Sequence, residues 1–304
     1  MHVFLTGATG FVGRNLLERL LREGHTVTAL VRDLSSKQGS ALARRPAVET
    51  GQLKLAEGDV VDGSGLTEVR GHDSVIHLVG IIAEFRNETF EQVHVRGTEN
   101  VVRAARDAGI RRFVQMSAIG ARPNGVSKYQ TSKYRAEETV RSSGIPFVIL
   151  RPSIIFGPGS AFVNQMAQVM RAAPFVRPVV GNGQSRFRPI YVEDVARCFV
   201  ESLTNSAALG KTIHLVGGEE LTFEDLLKRI AECIGIQKRV VHISIPLMML
   251  GAHVFSFLPV RPPVTRDQLA MLEEGSTADE KEMLQVFKFQ TIGFTAGLRM
   301  YLCG

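Results

Sequence analysis

Apolar and polar positions along the first half of the chain follow two periods in turn. Short apolar runs at His2–Leu5, Thr26–Val31, Leu53–Leu55, Ser74–Leu78, Phe113–Met116 and Phe147–Leu150 read as strands. Between them the spacing lengthens to that of a helix. Phe11–Glu23 places Val12, Leu16, Leu17, Leu20 and Leu21 on one face and stops at Gly24. A stretch from about Glu88 to Ala108 ends at Gly109, and another from about Lys128 to Arg141 stops near Gly144. Strands alternating with helices of this length predict an α/β fold, a doubly wound parallel sheet with helices on both faces.

The pattern changes after Arg151, where Pro152, Pro158, Pro174, Pro178 and Pro189 interrupt the chain. A strand at Thr212–Val216 ends in Gly217-Gly218, Phe223–Ile234 reads as an amphipathic helix, and a last helix begins at about Thr265. We read a nucleotide-binding domain over 1–155, with 188–217 returning to it. A smaller, mostly helical C-terminal domain takes 156–187 and 218–304. Within it, Ile245 to Leu258 (IPLMMLGAHVFSFL) is apolar but too short to span a bilayer. It reads as a core helix or as a patch lying on a membrane or a protein partner.

Composition narrows the picture. With 304 residues, 44% hydrophobic and 22% charged, the chain can bury a core without staples. Cys198, Cys233 and Cys303 are odd in number and far apart, which argues against a disulfide framework and a thiolate zinc site. The N-terminus runs straight into a glycine motif, so no signal peptide is expected and the location reads as cytoplasmic, with the membrane surface open. The net charge of +6 suits an anionic small ligand as well as nucleic acid. Arg103, Arg106, Arg111 and Arg112 cluster at a helix end without interleaved aromatics, so no nucleic-acid groove is expected.

The first chemical signal is Thr6-Gly7-Ala8-Thr9-Gly10-Phe11-Val12-Gly13, directly after the first strand and opening the first helix. Glycines there allow a tight turn and close approach of a pyrophosphate, and the helix N-terminus offers free N–H groups. Gly7, Thr9, Gly10, Phe11, Val12 and Gly13 are therefore candidate cofactor residues. At the end of the second strand stand Val31-Arg32-Asp33. Arg32, with Arg14 from the helix, suits a ribose 2′-phosphate and favours NADP(H), whereas Asp33 leaves NAD(H) open.

These motifs, with GDVVD at 58–62, IHLVG at 76–80, VHVRGTENV at 93–101, RPSIIFGPG at 151–159 and RPIYVEDVA at 188–196, resemble the extended short-chain dehydrogenase/reductase superfamily. The likeness covers nearly the whole chain and implies a Rossmann fold of the NAD-dependent epimerase/dehydratase kind. It also implies that Asp59 and Val60 flank an adenine, and that Leu78, Val79 and Gly80 line the ribose side.

The second signal is Tyr129-Gln130-Thr131-Ser132-Lys133, a Y-x-x-x-K that puts both side chains on one helix face. A neighbouring ammonium favours the phenolate and moves a tyrosine towards acid/base work. The resemblance gives Lys133 a further task, holding the nicotinamide ribose. Where the superfamily carries a catalytic serine stands Ile119, with Ser117 two residues earlier as the candidate third partner. His94 takes the place of a frequent asparagine, and the 117–129 loop is short. Those departures resemble the atypical branch of the nucleotide-binding accessory subunit of respiratory complex I.

Two functions follow as expectations. One is an NADP(H)-dependent oxidoreductase or epimerase acting on a small carbonyl or hydroxyl substrate. The other is a structural or assembly protein that holds NADPH within a respiratory or membrane complex. The scattered His77, His94, His214 and His242 lack ligand spacing, so no metal is expected, and no G-x-S-x-G elbow is present. Asp194 is expected to cap a helix.

Overall fold

The computed structural model describes residues 1–173, 175–248 and 264–303. Six strands, β1 (His2–Thr6), β2 (Thr26–Val31), β3 (Leu53–Glu57), β4 (Ser74–His77), β5 (Arg112–Met116) and β6 (Phe147–Pro152), join Thr212–Leu215 in one sheet. Every pairing in it is parallel, and the spatial order is β3-β2-β1-β4-β5-β6 followed by Thr212–Leu215. Successive strands run outward from β1 in one direction and then from β4 in the other. That reversal opens a crevice at the carboxyl ends of β1 and β4, where ligands of such sheets bind. Thr6 and His77 are register partners at its floor.

Helices cover both faces. Phe11–Arg22 and Val192–Glu201 pack on one, over a core that includes Val3, Leu5, Val27, Ile76, Val114 and Leu150. On the other lie Gly97–Asp107 and Lys128–Arg141, over Phe4, Val75, Phe113 and Ile149. The odd and even positions of each strand divide cleanly between these cores, as the period of two requires. The predicted Glu88–Ala108 helix begins later, with a π-turn segment Glu91–Arg96 running into Gly97–Asp107. Residues Phe85 to Glu88 form instead a tight turn closed by two backbone hydrogen bonds. Lys37–Ala43 and Pro46–Glu49 are short helices that no apolar stripe announces; the first is capped by Ser36, whose hydroxyl accepts from the Gly39 N–H.

A third core gathers Phe156, Val163, Met170, Phe187, Phe223, Leu226, Ile230, Phe294 and Leu298 from the second half of the chain. Short strands support it: Val176–Val180 pairs parallel with Arg239–Ile243, and Arg186–Phe187 antiparallel with Leu221–Thr222. The helix Lys281–Phe287 leaves this unit and places Met283, Val286 and Phe287 in the first core. Of the apolar stretch Ile245 to Leu258, positions 249–258 lie outside the described residues.

Two expectations are corrected. Cys233 and Cys303 form a disulfide across a separation of 70 residues, with Cα atoms 4.5 Å apart. Sequence distance was a poor guide because the helix Phe223–Cys233 packs against the C-terminal helix Phe294–Arg299, bringing the two ends together. Asp194 is not a cap. It lies inside the first turn of Val192–Glu201, buried, and its Oδ2 accepts from the Ile292 N–H at 2.8 Å, tying the C-terminal segment to that helix.

Candidate functional site

The glycine loop sits at the crevice. Gly7 has φ +80°, a conformation that favours glycine, and a Cβ there would lie 3.2 Å from both Leu78 Cβ and Val79 N. A Cβ on Gly13 would overlap the Gly7 carbonyl. The loop therefore requires bare backbone twice, and the helix Phe11–Arg22 starts from it with no side-chain cap on its N–H groups. Leu78 and Val79 form its near wall. On the far side, Gly159 would present a Cβ 3.4 Å from Arg14 Nη2 and 3.8 Å from Phe11, so the GPG loop faces Arg14.

At the end of β2 the two candidate groups behave differently. Asp33 turns away: its Oδ1 accepts from Ser35 N at 2.8 Å, Ser35 Oγ at 2.6 Å and Ser36 N at 3.1 Å, which holds the carboxyl below its usual range. Arg32 points the other way and donates from Nη1 to Glu88 Oε1 at 2.8 Å. Asp59 accepts from Val61 N and closes its own turn, while Val60 is buried beneath the loop.

The chemistry gathers on the face covered by Lys128–Arg141. Ser127 caps that helix, its hydroxyl accepting from Gln130 N, which contributes about 1 kcal/mol. Further along, the fully buried Glu137 accepts from Arg151 Nε (2.7 Å), Arg151 Nη2 (2.6 Å) and Arg141 Nη2 (2.6 Å). This clamp fixes the helix against β6, and with it the two residues one turn apart. Lys133 is 4% exposed and its Nζ donates to Met116 O at 2.6 Å, at the end of β5. Burial pulls its pKa down to about 8, with Glu137 opposing the fall. Tyr129 is partly buried, and burial pushes its pKa up to about 12. Desolvation of the phenolate is the cause of that rise, and it runs against the lowering expected from the ammonium.

His94 is the residue that sequence reasoning undervalued. It is 1% exposed and its Nε2 accepts from the Ile81 N–H at 3.0 Å. Nδ1 must then carry the proton, donating to Ser132 Oγ at 2.8 Å, and Ser132 in turn donates to Tyr129 O at 2.8 Å. Its ring stacks on Phe90 (5.3 Å) and meets Tyr129 edge to face (5.5 Å). Burial and the Lys133 charge drive its pKa down to about 2, so it stays neutral and leaves Lys133 as the adjacent cation. A Cβ on Gly80 would lie 3.2 Å from His94 Nε2 and 3.7 Å from Lys133 Nζ, so Gly80 keeps this corner open. The visible signal was the histidine itself, an apolar-flanked polar residue in VHVRGTENV.

Ser117 is buried, and its Oγ lacks a hydrogen-bond partner at the end of the strand whose Met116 carbonyl receives Lys133. His77, buried behind it with Nδ1 2.6 Å from Thr6 Oγ1, is held neutral with its pKa down to about 3. The rim comes from the C-terminal unit. Glu274, on the helix Arg266–Glu274, accepts from Arg122 and Gln130, and the Lys128 N–H bonds Asp267. That helix starts with a capping box between Thr265 and Gln268. The structure thus brings Gly7, Gly13, Leu78 and Val79 together in one wall. Gly80, His94, Lys133 and Tyr129 form a second group, and Arg14 and Arg32 have separate partners.

Comparison with known proteins bears on the family and the fold. Residues 3–217 match the model of the NAD dependent epimerase/dehydratase family. The chain is 28% identical over 246 residues to the NADH-ubiquinone oxidoreductase 40 kDa subunit of Neurospora crassa, covering 80% of this chain and 62% of that one. It therefore spans less than two thirds of that relative. It is 30% identical over 255 residues to ceramide reductase of Caulobacter vibrioides, covering 83% and 77%. Among solved structures, MoeE5 in complex with UDP-glucose and NAD has the same fold, with a TM-score of 0.76 at 20% identity over 99% and 97% of the two chains. Its sheet, its glycine loop and a match over most of its length show that the chain belongs to the NAD dependent epimerase/dehydratase family.

Proposed function

We propose that the chain is an NADP(H)-dependent oxidoreductase that reduces a small carbonyl compound. The observation that carries this reading is the Tyr129–Lys133 pair, a phenol held protonated up to about 12 one helical turn from an ammonium. A tyrosine that keeps its proton at neutral pH can give it to a carbonyl oxygen as a general acid.

The residues fit a dinucleotide. Bare backbone at Gly7 and Gly13 admits a pyrophosphate to the helix N-terminus, and Gly80 leaves room beside Lys133. Ser117 Oγ supplies a buried hydroxyl in want of a partner. Arg32 offers a guanidinium to a 2′-phosphate while Asp33 is spent on its own turn, which favours NADP(H) over NAD(H). When bound, the nicotinamide supplies the hydride. Tyr129 donates its proton to the carbonyl oxygen, while Ser117, its hydroxyl buried at the end of β5, backs this corner. Lys133 orients the ribose and stabilises the phenolate that remains. His94 holds Tyr129 and the Gly80–Ile81 backbone in place without adding charge.

Relatives support two readings. The Caulobacter vibrioides ceramide reductase accords with the reductase. The Neurospora crassa subunit favours a second reading, a weakly catalytic NADPH-holding subunit of a larger respiratory or membrane assembly. Turnover separates them. Purified protein with NADPH and a panel of long-chain ketones, aldehydes and nucleotide sugars should consume NADPH with at least one compound. Tyr129→Phe should lower that rate by about 10²–10⁴-fold. Tight NADPH binding with no turnover that Tyr129→Phe abolishes would favour the subunit.

A further inference from the structure

The end of β2 contains one more charged group than a 2′-phosphate site needs. Arg32 Nη1 is hydrogen-bonded to Glu88 Oε1 at 2.8 Å, and the Asp59 carboxylate adds its field to the same guanidinium. The pair lies at the surface, but the backbone that carries Glu88 is fixed. It ends the turn Phe85–Glu88, closed by Phe85 N to Glu88 O (3.1 Å) and Glu88 N to Phe85 O (3.0 Å). Arg86 within the turn takes φ +53°, rare for a residue with a side chain. Glu84 Oε1 then accepts from the Phe90 N–H at 2.9 Å, fastening the turn to the following helix. This backbone brings a carboxylate to Arg32 across 56 positions of sequence.

We infer that Glu88 is a cofactor-specificity residue, a built-in anion that engages Nη1 of Arg32 and competes with the 2′-phosphate of NADP(H). The inference rests on the NADP(H) reading above. A guanidinium engaged by one carboxylate has fewer well-aligned donors left for a phosphate dianion. A phosphate bound to the remaining donors sits beside the Glu88 carboxylate, at a cost in like-charge repulsion. NAD(H) has no such group and leaves the pair intact. Glu88 therefore limits how far Arg32 can favour NADPH over NADH. It also couples the phosphate to the 81–90 segment, whose Ile81 N–H is held by His94 beside the catalytic pair.

Fluorescence titration of the full chain with NADPH and with NADH tests this, on wild type, Glu88→Gln, Arg32→Gln and the double variant. Glu88→Gln is expected to tighten NADPH by about three- to tenfold, the range of one exposed ion pair plus a removed like charge, and to leave NADH within about twofold. In the Arg32→Gln background the same change should do nothing for NADPH. Should Glu88→Gln fail to fold, by thermal melting, Glu88→Asp gives the same direction at smaller size. An unchanged NADPH Kd, or equal shifts for both cofactors, overturns the role of Glu88. Arg32→Gln that weakens NADPH beside an inert Glu88→Gln removes only this inference. Arg32→Gln without effect on NADPH removes the NADP(H) reading itself.

Discussion

The two faces of the sheet are built from the same strands yet hold different chemistry. Where β1, β4 and β5 look toward Phe11–Arg22 and Val192–Glu201 they present Val3, Leu5, Ile76 and Val114, packed against Leu16, Leu20, Val195 and Phe199. One residue along each strand, the opposite face presents Thr6, His77 and Gln115, all buried. Over these lies the helix that carries Lys133 and Glu137. Burying an amine, a carboxylate and two imidazoles costs free energy that an apolar face does not. A face that keeps them is paying for positioned donors and acceptors at the crevice. Both faces bury an apolar core, Phe4, Val75, Phe113 and Ile149 lying under the polar one, but only that face adds buried polar and charged groups at the carboxyl ends of the strands.

The largest expected break in that contrast is at Glu137. Glu137→Leu leaves Arg151 and Arg141 without their shared carboxylate and should lower unfolding stability by about 3 kcal/mol, measured by denaturant titration. A substitution of similar size on the apolar side, Ile76→Val, should cost only about 1 kcal/mol.

Lys133 gives a signed pH dependence. Its folded pKa, down to about 8, lies below the ordinary 10.5, so between these values the native state holds fewer protons than the unfolded chain. Stability from this group therefore rises as pH rises through that window, and the penalty of the buried charge is fully present below it. Relative to Lys133→Met, wild type should gain up to about 3 kcal/mol between pH 8 and 10.5, followed by paired denaturant titrations. A flat difference across the window would remove the buried-ammonium account.

The smallest effect sharpens the role of His94. His94→Phe keeps the ring contacts with Phe90 and Tyr129 but strands the Ile81 N–H and removes the hydrogen bond donated to Ser132 Oγ, which still donates to Tyr129 O. It should cost about 1–2 kcal/mol in stability. Turnover should fall further than that loss accounts for, with NADPH Kd little changed, because the Gly80–Ile81 backbone is no longer fixed.

Much of this was legible in the chain. The parallel sheet followed from apolar runs alternating with helical spacing, since both signals are local. The glycine loop and the Tyr129–Lys133 spacing were equally plain, because both motifs are local in the sequence. What escaped depends on contacts between distant segments. Nothing near Arg32 announces Glu88, which reaches it through a turn 56 positions later. The Cys233–Cys303 bond needs two helices to be packed first. The direction of the Tyr129 shift is not in Y-x-x-x-K, which states the neighbour but not the depth of burial that sets it.

Amide hydrogen exchange with and without saturating NADPH tests the contrast between the faces most directly. The account predicts slowed exchange in peptides spanning 78–94 and 116–133, which carry Gly80, Ile81, His94, Ser117, Tyr129 and Lys133, with no change across 192–201 on the apolar side. Protection spread equally over both faces, or none at 78–94 and 116–133 with NADPH bound, would contradict it.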